Sequence, residues 1–141
     1  EAIQLRKYNS TVYTDSTYRF SAVFGGVPKV IDTSGHRKLI YQEMGQGNTY
    51  LIEIYAADSE RSLENQTENF FSSSKNIKPR EIWLSNQIQA FEGNTFIYGI
   101  GDCWRRVFIY KGNIYKITCY GGNKFMNSDR YRNFFNQLTL F

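Results

Sequence analysis

The chain has 141 residues and a single histidine, carries a formal net charge of +4, and is 17% aromatic with 11 tyrosines and 11 phenylalanines. This length fits one domain over 1–141 with a core that stands without cross-links, and the aromatic load argues against a disordered chain. No apolar run reaches the ~18 residues of a membrane-spanning helix, the charge is too mild to mark a nucleic-acid binder, and two cysteines with one histidine fall short of a tetrahedral zinc set.

Residues 1–16 read as an N-terminal extended segment, with Ile3, Leu5, Val12 and Tyr13 apolar. From Tyr18 to Phe24 the pattern alternates, with Tyr18, Phe20, Ala22 and Phe24 on one face, and predicts a strand. Gly25-Gly26-Val27-Pro28 ends it. The glycine pair lacks the spacing of a phosphate loop, and no helix opens after it. Asp32 to Gly35 reads as a turn, and His36-Arg37-Lys38 leads into a strand through Leu39, Ile40 and Tyr41. After a turn at Gly45 to Asn48, Thr49 to Ala56 is a second strand, so the two form an antiparallel hairpin.

Asp58-Ser59-Glu60 supplies a cap and a first-turn acid for a helix over 59–74. Its apolar stripe runs through Leu63, Thr67, Phe70, Phe71 and Ser74, and Pro79 blocks continuation. Arg80 to Leu84 is a strand, Glu92-Gly93-Asn94 reads as a turn, and Phe96 to Gly101 as the next strand. Gly121 to Lys124 reads as a loop. Asn127-Ser128-Asp129 caps a second helix whose stripe is Tyr131, Phe134, Phe135 and Leu138, with Arg130, Arg132, Asn133 and Asn136 outward. Thr139 to Phe141 ends the chain extended.

Residues 103–120 form the most patterned stretch. Val107, Ile109, Tyr115 and Ile117 alternate around Lys111-Gly112-Asn113, which predicts two paired strands on a tight turn. A three-residue loop over Tyr110–Gly112 sets Cys103 opposite Cys119; a two-residue Gly112–Asn113 turn pairs Cys119 with Arg106 instead. The first register permits a Cys103–Cys119 disulfide, worth about 3 kcal/mol for so short a loop. The competing reading is two buried thiols. In sum the pattern predicts an α+β fold, a curved antiparallel sheet flanked by two main helices.

Tyr18-Arg19-Phe20-Ser21-Ala22-Val23-Phe24-Gly25-Gly26-Val27-Pro28 resembles the opening of the PsbP-like family, which also holds the Ran-binding Mog proteins and many exported bacterial domains. The mid-chain helix fits that layout. Arg106 to Ile117 is similar to the family's penultimate hairpin, and Tyr131 to Leu140 to its ending. The likeness spans roughly residues 17–141 and departs from the family at Gly25-Gly26 and at the paired cysteines. It implies a PsbP-like fold serving as an adaptor, with no catalytic motif attached.

No catalytic residue, metal site or cofactor is assigned. His36, beside Arg37 and Lys38, reads as an exposed turn residue. The binding candidates are Trp104, Arg105 and Arg106 with Tyr98, Lys116, Tyr120, Arg130 and Trp83, an aromatic and basic mixture suited to anionic partners or a protein hot spot. That surface exists if Trp104, Arg106 and Phe108 face away from the core side of Val107 and Ile109; if a helix packs there, Trp104 is core. The expectation is a non-enzymatic, monomeric bacterial binding domain that recognises a protein partner, from the host or the envelope. The alternative is a binder of a small or lipid-like anionic ligand. The Glu1-Ala2 start suits a secreted or periplasmic chain after signal-peptide removal.

Overall fold

The computed structural model describes residues 11–45, 47–57, 63–71 and 79–141. Strands dominate it. In chain order they are β1 (Thr11–Asp15), β2 (Phe20–Phe24), β3 (Lys29–Thr33), β4 (His36–Gln42), β5 (Thr49–Ala56), β6 (Arg80–Leu84), β7 (Ile88–Ile97), β8 (Gly101–Tyr110), β9 (Asn113–Tyr120) and β10 (Thr139–Leu140). The described helices are short: α1 (Leu63–Phe71), α2 (Asn123–Met126) and α3 (Arg130–Asn136), with one 3₁₀ turn at Ser85–Gln87.

The predicted α+β class with one sheet and two main helices is therefore corrected. The protein is mostly β, with ten strands in two antiparallel sheets among the described residues. The larger sheet runs β3-β4-β5-β9-β8-β7-β6, and the smaller runs β1-β2-β10. The second sheet is hard to see in sequence because one of its strands is two residues long and pairs with a distant segment, Thr139 against Ser21 and Leu140 against Phe20. Of the N-terminal segment, 11–15 is strand β1 and the rest lies outside the described residues. The same holds for the helix cap at Asp58–Glu60 and for Ser74, leaving α1 with Thr67 and Phe71 buried.

Strand alternation gives the large sheet two working faces. One carries Ile52, Ile54, Phe108, Tyr115, Ile117 and Cys119, covered by the small sheet through Phe20, Ala22 and Phe24 and by α3 through Tyr131, Phe134 and Phe135. Aromatic pairs fill the interface. Phe24 and Phe134 lie 5.3 Å apart, and Phe20 meets Tyr115 edge-on at 5.8 Å. The opposite face carries Val107, Ile114, Tyr55, Phe91 and Ile109 under α1. Arg37 ties the two sheets together, donating to the buried Asp15 at 2.7 Å while it also chelates Asp32.

Three local predictions change. Glu92-Gly93-Asn94 is not a turn but the middle of β7. A Cβ at Gly93 would lie a tight 3.3 Å from the Pro79 backbone, so the glycine marks a close approach of two segments. The reversal comes later and breaks the predicted Phe96–Gly101 strand: β7 ends at Ile97, and Ile100 N–H donates to Ile97 C=O across Gly99 at φ +87°. Gly121–Lys124 leads into the single turn of α2 instead of remaining loop.

The 103–120 hairpin does form, in neither of the registers expected. Its turn is Lys111–Gly112, with φ +49° and +79°, so Tyr110 pairs with Asn113. Both turn residues are left-handed, the geometry that matches strand twist. Cys119 then faces Trp104, and Cys103 faces Tyr120. One step of register moves a side chain to the other face. The two cysteines consequently point to opposite sides of the sheet, and the disulfide reading is corrected: both are buried free thiols. Burial pushes the Cys103 thiol up to about 11 and the fully enclosed Cys119 thiol well above its usual range. Alkylation of the unreduced, denatured protein should therefore add two groups per chain by mass spectrometry, and the native protein none within minutes; a disulfide would give zero in both.

Candidate binding groove

The residues proposed from sequence do not converge. Trp104 and Arg106 do face away from Val107, but onto the principal core instead of solvent. Trp104 stacks on Tyr131 at 4.3 Å with rings parallel, and its indole N–H donates to the Met126 carbonyl at 3.2 Å. Arg105 and Lys116 lie on the other face, where Arg105 donates to Thr118 at 3.3 Å and Lys116 sits 5.2 Å from the Tyr55 ring centre. Burial lowers the pKa of both. Tyr120 shares that face, half-buried opposite Cys103. Arg130 pairs with Glu43 and covers Phe125 at the far end of α3. Tyr98 is 95% exposed at the β7–β8 turn, and Trp83 is 63% exposed on the edge strand β6. His36 opens β4 stacked on Tyr55 at 4.1 Å, with Nε2 4.0 Å from Glu53, so it is not the exposed turn residue expected.

What the fold does assemble is a groove between the outer strands β6 and β7 and helix α3 with its following tail. Its main basin, about 480 Å³, is lined by Ile82, Leu84, Phe135, Leu138 and Leu140 and by Arg80, Arg106, Arg132 and Glu92. A second basin of about 300 Å³ shares Arg80, Glu92 and Arg132 and continues to Gly93, Asn94, Trp104 and Tyr131. Three arginines against one carboxylate leave the main basin's lining at +2.

Arg106 builds the floor. Its Nε and Nη2 donate to Glu92 at 3.2 and 3.0 Å, its Nη1 donates to the Phe135 carbonyl at 2.9 Å, and its guanidinium lies 5.0 Å from the Phe135 ring centre. The carbonyl belongs to the last turn of α3, where helix oxygens lack internal partners. Burial lowers the Arg106 pKa and the Glu92 carboxylate opposes that shift, so the cation is kept by its partner. Arg80 and Arg132 stand at the mouth, largely exposed, 3.5 Å from Glu92 and 3.1 Å from Asp129 respectively. Screening makes those two pairs weak, which leaves both guanidiniums able to exchange their partner for a ligand's anion.

Sequence reasoning placed Arg106 in the site but on the wrong surface, and it missed Arg80, Glu92, Leu138 and Leu140. A usable signal was present. Trp104, Arg106 and Phe108 share one strand face with buried neighbours, and a cation among apolar residues demands a carboxylate. Glu92 sits within the next strand on the same period.

At the other end of α3, Glu43 accepts hydrogen bonds from Arg130 and Tyr50 beside a polar basin of about 430 Å³. Burial raises the Glu43 pKa, but these donors outweigh it and hold the carboxyl below its usual 4.5.

No family model matches this chain, and no curated protein matches it. Among solved structures, the solution structure of cyanobacterial PsbP (CyanoP) from Synechocystis sp. PCC 6803 is similar, with a TM-score of 0.66 at 9% identity, covering 94% of this chain and 92% of that one. The protein has the PsbP-like fold, as the sequence resemblance implied. No helix among the described residues is long and apolar enough to cross a membrane.

Two outcomes follow. Replacing Arg106 by Leu strands Glu92 at the floor and should cost about 3 kcal/mol by urea unfolding, whereas Arg132→Leu should cost under about 0.5 kcal/mol. Because the folded-state pKa of Glu43 lies below its unfolded value, its contribution is present above pH 4.5 and is lost as pH falls through the folded pKa. The fall of the urea midpoint on acidification should be shallower in Glu43→Gln.

Proposed function

We propose that this protein is a non-enzymatic binding domain, exported by its bacterial host cell, that recognises a protein partner through the groove between β6, β7 and α3. The observation that carries this reading is the groove's lining. Guanidinium, amide, aromatic and aliphatic groups hold and orient a partner, and the one carboxylate among them, Glu92, is engaged by two arginines. A floor fixed by Arg106 gives a rigid seat, and preformed seats lose less free energy on binding. The distant likeness to CyanoP supports the fold on which such a seat is built and leaves the partner to be found.

The alternative of a small anionic ligand has one observation in its favour, since the main basin falls within the ~300–1,000 Å³ typical of small-molecule sites. A photo-cross-linking residue placed at Ser85, on the groove rim, should capture one defined protein from the native cell envelope or culture medium. The same residue at Ser34, on the β3–β4 turn, should not. Identical products from both positions would remove the groove from the account, and capture of no protein at Ser85 alongside a co-purifying anion would favour the small ligand.

A further inference from the structure

We infer that the groove is a track for an extended peptide segment of a partner that is apolar at both ends and acidic in the middle. This rests on the groove reading above and narrows it to a chemical class. The track follows β6 in its lower part and β7 in its upper part. Alternate residues of a strand share a face, and Glu92 and Asn94 both line the basins, so Phe96 continues the same row. Phe96 is 39% exposed, and the turn beyond it presents Tyr98. Below Glu92 the row dips into the core at Ala90, and the open lining passes to Ile82 and Leu84 of the neighbouring β6, with Leu138 opposite. From Leu84, which pairs with Ile88, up to Phe96 is a rise of eight strand steps, or about 27 Å at ~3.4 Å per step.

Along that length the chemistry changes in order. The lower third is aliphatic. The middle is crossed by Arg80 and Arg132, whose charges are only weakly compensated at the surface. The upper third is the stacked Trp104–Tyr131 wall and then the aromatic turn. A segment of matching length needs apolar side chains at its ends and carboxylates centrally to complement the +2 lining. A neutral segment would add no anion to the weak pairs that Arg80 and Arg132 make with Glu92 and Asp129, and a basic one would meet like charge.

The test uses two capped eight-residue peptides, both with leucines at one end and phenylalanine at the other. One carries two central aspartates and the other two central asparagines. Each is titrated into the ¹⁵N-labelled full chain. The acidic peptide should shift the amides of Gly93, Asn94 and Phe96 and bind about tenfold more tightly than its twin. Arg80→Glu combined with Arg132→Glu should erase that preference while leaving the fold's spectrum intact. Equal affinity of the two peptides within the groove would overturn the acidic class and leave the groove standing. Shifts confined to the β4–β5–β9 outer face, or none up to about 1 mM, would overturn the track itself. If cross-linking at Ser85 also fails, the groove reading falls with it.

Discussion

The placement of one buried guanidinium governs how this molecule is put together. Arg106 rises from a central strand into a layer of aromatic rings, and only a second-strand carboxylate and the end of a helix make it tolerable there. A cation so enclosed is not a source of net stability when compared with a well-packed apolar residue. Its effect is specificity. It binds the carbonyl of the last turn of α3 and so fixes that turn above β8. The aromatic packing of Phe135 over the same group reinforces that position.

From this anchor the groove follows as a geometric remainder. The large sheet continues two strands beyond the helix, to β7 and β6, while the small sheet covers its opposite half. The chain leaving α3 must return to pair with β2, and in crossing it lays Leu138 and Leu140 along the far wall. A concave strip of sheet is left between helix and edge strand. Its floor is saturated with internal hydrogen bonds and its rim carries exposed cations, a division that separates the rigid part of the seat from the part facing an incoming group.

Strand existence was largely legible in the sequence because half-buried strands write their period plainly, as Phe20, Ala22 and Phe24 do. The PsbP-like fold was legible too, through the order of motifs. Glycine was the main source of error. Gly93 and Gly99 look alike on paper, yet one allows two backbones to approach and the other turns the chain. The hairpin register failed for a related reason: Lys111 adopts a left-handed conformation that its side chain does not advertise. The class was misjudged because β10 is too brief to carry a pattern, which hid the second sheet. Arg106 was read as surface because charge normally is, and the exception can be recognised only when its partner on another strand is considered.

The register of that hairpin has a bearing beyond topology. With Cys103 and Cys119 directed to opposite sides of a hydrogen-bonded sheet, no oxidant can join them unless β8 and β9 first come apart. The folded state thus has no internal disulfide to gain or lose. Its cysteines therefore give no clue to the compartment in which it works.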